Sequence, residues 1–327
     1  MKTKIKRRQF FHNMKAVFLI DPIESLKPEK DTSLALISEA KKRNIECYYL
    51  KPNNIFLKNK DVFFTVQKIN QLNLKKRNFF TLAESTETHH VSVFSVLFIR
   101  LDPPFDEKYL NCTWMLDYAV HDLLMINSPS GIRNAQEKLS CLQFSTCIPE
   151  TLVSSSPAAF HDFLKTHKKC ILKPIDQFGG TGIFSINRND SNADVAFQQL
   201  TQGFKKPCII QEFVAAANLG DKRILLLNGE PLGAVLRKNL KSDHRHNFFA
   251  GGQAFKCDIT PGDLKIVEQI KSFLIQNELF LVGIDIIGDK LIEINVTSPT
   301  CLQEISNLNA ENLAEKVINF VLFKLAL

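Results

Sequence analysis

"VGIDIIGDKLIEINVTSPTCLQEI", residues 282–305, decides how this chain is read. Two apolar runs of strand length flank Gly288-Asp289-Lys290, so the stretch reads as a β-hairpin. Side chains two apart on a strand share a face, which puts Glu293 and Asn295 together. With Gly288-Asp289-Lys290 as a three-residue loop, Asp285 falls opposite Glu293 on that same face. Two carboxylates and an amide oxygen suit Mg²⁺, a hard cation held by one or two carboxylates plus substrate phosphates. The three side chains equally suit the wet face of a half-exposed hairpin. The stretch also holds a glycosylation sequon at Asn295 and a lone thiol at Cys301.

The rest of the chain narrows these readings. At 327 residues, two or three domains are expected, and 45% hydrophobic with 23% charged residues fits a globular protein. No run approaches the roughly 18 apolar residues of a membrane span. The start "MKTKIKRRQFFHNMKAVFLIDP" is basic, but its apolar run covers only Ala16 to Ile20 and reads as a first strand, not a signal peptide. Eight cysteines without a Cys-x-x-Cys indicate reduced thiols in a cytoplasm rather than disulfides or zinc. In that compartment the sequons at Asn111, Asn189 and Asn295 carry no weight, and Cys301, lacking a paired base, reads as a packed thiol. The net charge is +7, of which residues 1–13 supply +5 without an acid. Such an arm can attract nucleic acid, but the preferred reading is a solvated extension, with no nucleic-acid or membrane partner.

From Lys15 the chain reads as strand, helix capped by Asp31, and strand Ile45–Leu50, a β-α-β opening. The stretch 91–106 reads as another buried strand ended by Pro103-Pro104, followed by a helix around 108–125. Residues 14–128 therefore suggest a doubly wound α/β domain with its strand ends, at Asp21 and Arg100 to Asp102, facing a cleft. A second segment, 129–207, is helical from about Arg133 and runs through the strand "CILKPID" (170–176) and the turn Gly179-Gly180-Thr181-Gly182 to the strand "IFSI". A third, 208–327, opens with "CIIQEFV" (208–214) and pairs a hairpin on Asn228-Gly229. It continues with a helix capped by Thr260 with Pro261 at N1, the 282–305 hairpin and a helix at about 311–325.

Phosphate ligands would support the metal reading. Lys138, Lys173 at the end of an apolar strand, and the backbone amides of the Gly179-Gly180 turn are candidates, although each alone also reads as a solvated lysine or an ordinary turn. Arg223, Arg237 and Arg245 complete the cationic inventory, the last in a long polar loop.

These pieces resemble bacterial glutathione synthetase, a family of ATP-grasp ligases. The matching motifs are "ILKPIDQFGGTGIF" (171–184), "DKRILLLNGEP" (221–231), "AGG" (250–252), the opening hairpin, "IRLDPPFD" (99–106) and "INSPSGIRNAQEKL" (126–139), in order over residues 14–327. The resemblance implies an α/β (α+β ATP-grasp) fold in which an N-terminal domain precedes two α+β subdomains gripping ATP. It implies Lys138 and Lys173 on ATP phosphates, Gly179 and Gly180 in a closing turn, and Gln211, Glu212, Phe213 and Val214 at adenine. Asp285, Glu293 and Asn295 would hold Mg²⁺, or alternatively Mn²⁺. Arg223 would stabilise the transferring charge, while Arg237, Arg245 and Asn247 would face the acyl donor and Ser298 to Thr300 the substrate end. The implied reaction ligates γ-glutamylcysteine to glycine with cleavage of ATP, in a homo-oligomer. A ligase with another acceptor, or a nucleotide-binding relative without turnover, are the alternatives. Departures from the family pattern are Leu101, Gln177, Ser185, His246 and Phe249.

Overall fold

Short apolar runs build the first sheet around β1 (Lys15–Ile20), in a computed structural model that describes residues 14–74, 79–240 and 251–327. β1 pairs in parallel with β2 (Glu46–Leu50) and β7 (Val96–Arg100), and β7 pairs in parallel with β8 (Leu124–Ile126). Helix α1 (Thr32–Lys42) starts where expected, because the Asp31 carboxylate accepts from the Leu34 amide and satisfies an otherwise orphaned donor. It buries Leu34, Ile37 and Ala40. An antiparallel ribbon of β3 (Ile55–Lys58), β4 (Asp61–Leu72), β5 (Phe80–Leu82) and β6 (Glu87–His90) widens this sheet. Its clearest sequence signal is the every-second-residue burial of Val62, Phe64 and Val66.

Three expected elements are shorter or displaced. The strand within 91–106 is confined to β7, since residues 91–93 form a 3₁₀ turn whose Ser92 amide donates to His90 Nδ1. Helix α2 (Glu107–Asp117) stops well before 125, because the chain must turn over residues 118–123 to lay β8 beside β7. Helix α3 (Pro129–Asn134), capped by Ser128, starts before Arg133 rather than at it, and Arg133 lies in its last turn. It ends because the Gln136 side chain accepts from the Lys138 and Leu139 amides, diverting them from an α-helical ladder.

The second sheet, in the order β11-β10-β12-β9, is antiparallel: β9 (Thr151–Ser154), β10 (Lys169–Pro174), β11 (Phe184–Asn187) and β12 (Cys208–Glu212). Helices α4 (Pro157–Thr166) and α5 (Ala193–Leu200) cover it over a separate core, where Phe160 and Phe197 stack with ring centres 4.4 Å apart. A segment break before Cys208 does not coincide with a sheet boundary, since β12 pairs with β9 and β10. An apolar run shows that a strand is buried without showing which neighbours bury it.

The third sheet runs β15-β14-β13-β16-β17, comprising β13 (Asp221–Leu227), β14 (Glu230–Lys238), β15 (Gln253–Lys256), β16 (Leu281–Ile287) and β17 (Lys290–Asn295). Asn228 and Gly229 both adopt positive φ, 52° and 75°, which the two-residue turn of a twisted hairpin requires. Helix α6 (Pro261–Gln276) opens on a capping box between Thr260 and Asp263. Helices α7 (Leu302–Asn309) and α8 (Leu313–Leu325) pack with α1 over one core, so the C-terminus closes against the first domain. The buried Asn127 ties the units together, its amide bonding the backbone of Leu281 and Val296 at both open ends of the β16–β17 hairpin.

Candidate active site

The β16–β17 hairpin is connected by two residues, Gly288-Asp289, not three: Ile287 pairs with Lys290 and Ile286 with Leu291. A bulge then places Asp285 opposite Glu293, leaving Ile292 without a cross-strand partner. The bulge restores the single residue of offset that a three-residue loop would have supplied. Asp285, Glu293 and Asn295 therefore do share a face, for a different reason than loop length.

That face forms one wall of a cleft of about 770 Å³ between the three sheets. Every described candidate lines it: Lys138, Lys173, Gly179, Gly180, Gln211, Glu212, Phe213, Val214, Arg223, Arg237, Asp285, Glu293 and Asn295. Arg245 and Asn247 lie outside the described residues, as do His246 and Phe249. Ser298 and Thr300 also line the cleft, whereas the Pro299 carbonyl accepts from the buried Arg100. Cys301 is fully buried behind the wall, and burial raises its thiol above the usual range.

The electrostatics are organised around a chain of buried ions. Arg223 donates Nε and Nη2 to the two oxygens of Asp285, the second at 2.9 Å. Arg237 donates to Asp221 at 2.6 and 2.9 Å and also approaches Asp285 at 3.0 Å. Burial alone would raise the Asp285 carboxyl, but the two guanidiniums outweigh it and hold it well below the usual carboxylate range. Asp221 goes the other way, raised by burial despite Arg237.

Lys173 projects from β10 into the opposite wall, where burial lowers its ammonium to about 8, with Glu293 opposing the shift and Lys138 reinforcing it. The Lys138 ammonium bridges the Glu293 carboxylate, 3.2 Å away, and the Gln177 carbonyl beside the glycine turn. Gly179, Gly180 and Gly182 hold φ of 64°, 79° and 71°, a left-handed succession that explains three glycines in four residues. On the far wall, the Lys169 ammonium sits 3.7 Å over the Phe213 ring, whose amide donates to the Lys169 carbonyl.

The donor set fits a hard divalent cation. Asn295 directs its Nδ2 to the Gly283 carbonyl at 3.2 Å, an acceptor only, which assigns the amide and leaves Oδ1 available beside the carboxylates of Asp285 and Glu293. All three donors are oxygens.

Two contributors had no sequence signal. Asp221 is an acid in "DKR" until the fold brings β14 alongside, and Glu137 stands beside Lys138 as one more surface-type residue. Half-buried, Glu137 accepts at one oxygen from the Val296 amide, the Thr297 amide and the Thr297 hydroxyl, at 2.9, 3.2 and 2.9 Å. It thereby anchors the segment immediately after Asn295.

Comparison with known proteins gives matches along nearly the whole chain. The model of the family "Prokaryotic glutathione synthetase, N-terminal domain" matches residues 14–133, and that of "Prokaryotic glutathione synthetase, ATP-grasp domain" matches residues 137–310. The glutathione synthetase of Nostoc sp. is 38% identical over 316 residues, covering 94% of this chain and 98% of the relative. That of Coxiella burnetii is 35% identical over 316 residues, covering 96% and 98%. Among solved structures, D-cycloserine synthetase superposes with a TM-score of 0.67 at 14% identity over 94% of this chain and 99% of that one. A RimK domain ATP-grasp protein from Sphaerobacter thermophilus superposes at 0.59 and 14% identity over 94% and 98%. These last two are likenesses of fold.

Proposed function

The chain belongs to the prokaryotic glutathione synthetase family of ATP-dependent ligases, and from that membership we propose that it joins γ-glutamylcysteine to glycine using Mg-ATP at this cleft. The observation that carries the assignment of roles is the convergence of two lysines, two arginines and three oxygen donors on one cleft.

Bringing a carboxylate onto the γ-phosphate of ATP sets two anions against each other. Lys138 and Lys173, both near Glu293, offset that repulsion by holding phosphate oxygens, and Lys138 exchanges its present partners for them. Arg223 and Arg237 carry fixed positive charge on the reacting wall, and their bonds to Asp285 and Asp221 keep both guanidiniums in place before substrate arrives. Asp285, Glu293 and Asn295 would hold the divalent ion, which would supply charge neutralisation on the phosphates. The donor carboxylate displaces ADP at phosphorus, and the glycine amine then displaces phosphate from the acyl phosphate. An acyl phosphate hydrolyses if wet, so the glycine turn serves to close over it. No protein nucleophile is needed, in keeping with a fully buried Cys301.

Free cysteines throughout the described residues, all but Cys257 buried, support a reducing compartment, and we assign the enzyme to the cytoplasm. No helix among the described residues is long and apolar enough to cross a membrane. The test is phosphate release from ATP with Mg²⁺, γ-glutamylcysteine and glycine. Release is expected only when donor and acceptor are both present; none with the full set, or equal release with other amines, overturns the reading.

A further inference from the structure

Gln211 of β12 and Thr151 of β9 lie directly opposite each other in an antiparallel pair, so their side chains share a face. Gln211 donates its Nε2 to the Thr151 hydroxyl oxygen at 2.8 Å. The Thr151 hydroxyl in turn donates to the Pro149 carbonyl at 2.8 Å. A hydroxyl has one hydrogen, and here it is committed to Pro149. The Thr151 oxygen can therefore only accept from Gln211, which requires the amide nitrogen, not the amide oxygen, to face it. Orientation of a buried amide is thus dictated by a relay of two bonds.

The consequence falls on the cleft. Gln211 is 8% exposed and lines the cleft wall beside Glu212, Phe213 and Val214. Its Oε1 has no hydrogen-bond partner among the described residues, yet it is not among the side-chain atoms that are both sealed from solvent and unpaired. It is an accessible acceptor held at the wall of the nucleotide cleft. A purine bearing an exocyclic amino group can donate to it. One bearing a carbonyl there presents a second acceptor, and the amide cannot turn over to meet it without breaking the Thr151 relay.

We infer that Thr151 is a specificity-positioning residue: by fixing the Gln211 amide, it makes the cleft select 6-aminopurine over 6-oxopurine nucleoside triphosphates. The inference rests on the reading of this cleft as the ATP site. A site built to pair a polar group discriminates against an analogue lacking the partner, because a buried group is then left unpaired.

The experiment compares kcat/KM for ATP and ITP in phosphate release by the full-length chain, with binding of ADP and IDP measured in parallel. ITP differs from ATP at the 6-position without adding the 2-amino group of GTP, so it isolates the contact. Wild type is expected to favour ATP. Thr151→Val, which removes the hydroxyl and frees the amide to turn, is expected to lower the ATP/ITP ratio by about tenfold. The change should fall in KM and in IDP affinity rather than in kcat. Thr151→Ser, which retains the relay, should keep the wild-type ratio. A merely structural Thr151 would depress both nucleotides together and leave the ratio unchanged, which overturns the inference. So does a wild-type protein that binds ADP and IDP equally, with the ATP-site reading intact. A wild-type protein that binds neither nucleotide overturns that reading itself, and this inference with it.

Discussion

Arg223 of β13 stands directly across the sheet from Asp285 of β16 and grips both of its carboxylate oxygens. The pair is buried, and Arg237 attends the same carboxylate from the next strand at 3.0 Å. Removing one partner of a buried pair leaves an uncompensated charge in low dielectric. Arg223→Ala is accordingly expected to lower stability by about 3 kcal/mol in urea unfolding, the low end for such pairs because Arg237 remains. Arg223→Lys keeps the charge but loses the two-pronged geometry and should fall between. An unchanged unfolding midpoint for Arg223→Ala would show that the pair contributes nothing to stability.

Lys173 sets a pH dependence. Its folded ammonium titrates at about 8, lowered by burial from 10.5. Below about 8 both folded and unfolded chains carry the charge, and the folded protein bears its desolvation. Between about 8 and 10.5 the unfolded chain binds a proton that the folded one has released, so this group makes stability rise with pH across that window. Phosphates favour the charged form, so ADP binding should take up a proton near pH 8 and weaken above it. Calorimetry in buffers of different ionisation enthalpy reads the uptake, and Lys173→Arg, charged throughout, should abolish it.

Asn295 presents an amide oxygen to the proposed cation because its nitrogen is tied to Gly283. Asn295→Ala should raise the Mg²⁺ concentration for half-maximal phosphate release by at least about tenfold, by analogy with lost metal-site contacts. Thermal stability should change little, since the side chain is only half-buried. Chelation of divalent ions should abolish release in wild type, and restored Mg²⁺ should recover it. Unaltered Mg²⁺ dependence in the variant would remove Asn295 from the site.

Glu137 receives three hydrogen bonds from Val296 and Thr297 at one oxygen. Glu137→Ala strands two backbone amides and should cost roughly 1–3 kcal/mol. Glu137→Gln retains an acceptor and should cost less. Because the segment directly follows Asn295, the alanine variant should also need more Mg²⁺ for half-maximal release. Hydrogen exchange at Val296 and Thr297 faster than wild type would confirm the loosening, and unaltered protection would refute it.

Much of the arrangement is local and was therefore legible. Asp31 and Thr260 cap their helices as their residue types require, and Asn228-Gly229 makes its hairpin turn. Apart from Asp221 and Glu137, the candidate charged and oxygen-bearing residues of the cleft could be named from motif, spacing and resemblance. Less legible were elements whose limits depend on neighbours. Gln136 ends α3 with its side chain, and the return to β8 shortens α2.

By itself the sequence determined the hairpin, its alternating face, and which oxygen-bearing and cationic side chains are candidates for the cleft. Only the tertiary structure decided that a two-residue turn and a bulge at Ile292 set Asp285 against Glu293. Only it placed β12 in the second sheet, and only it paired Asp285 with an arginine 62 residues away. The physical reason is range. Periodicity, capping and turn conformation are settled within a few residues by backbone sterics and local hydrogen bonds. Register, ion pairing and the orientation of a buried amide depend on partners that become neighbours only when the sheets assemble.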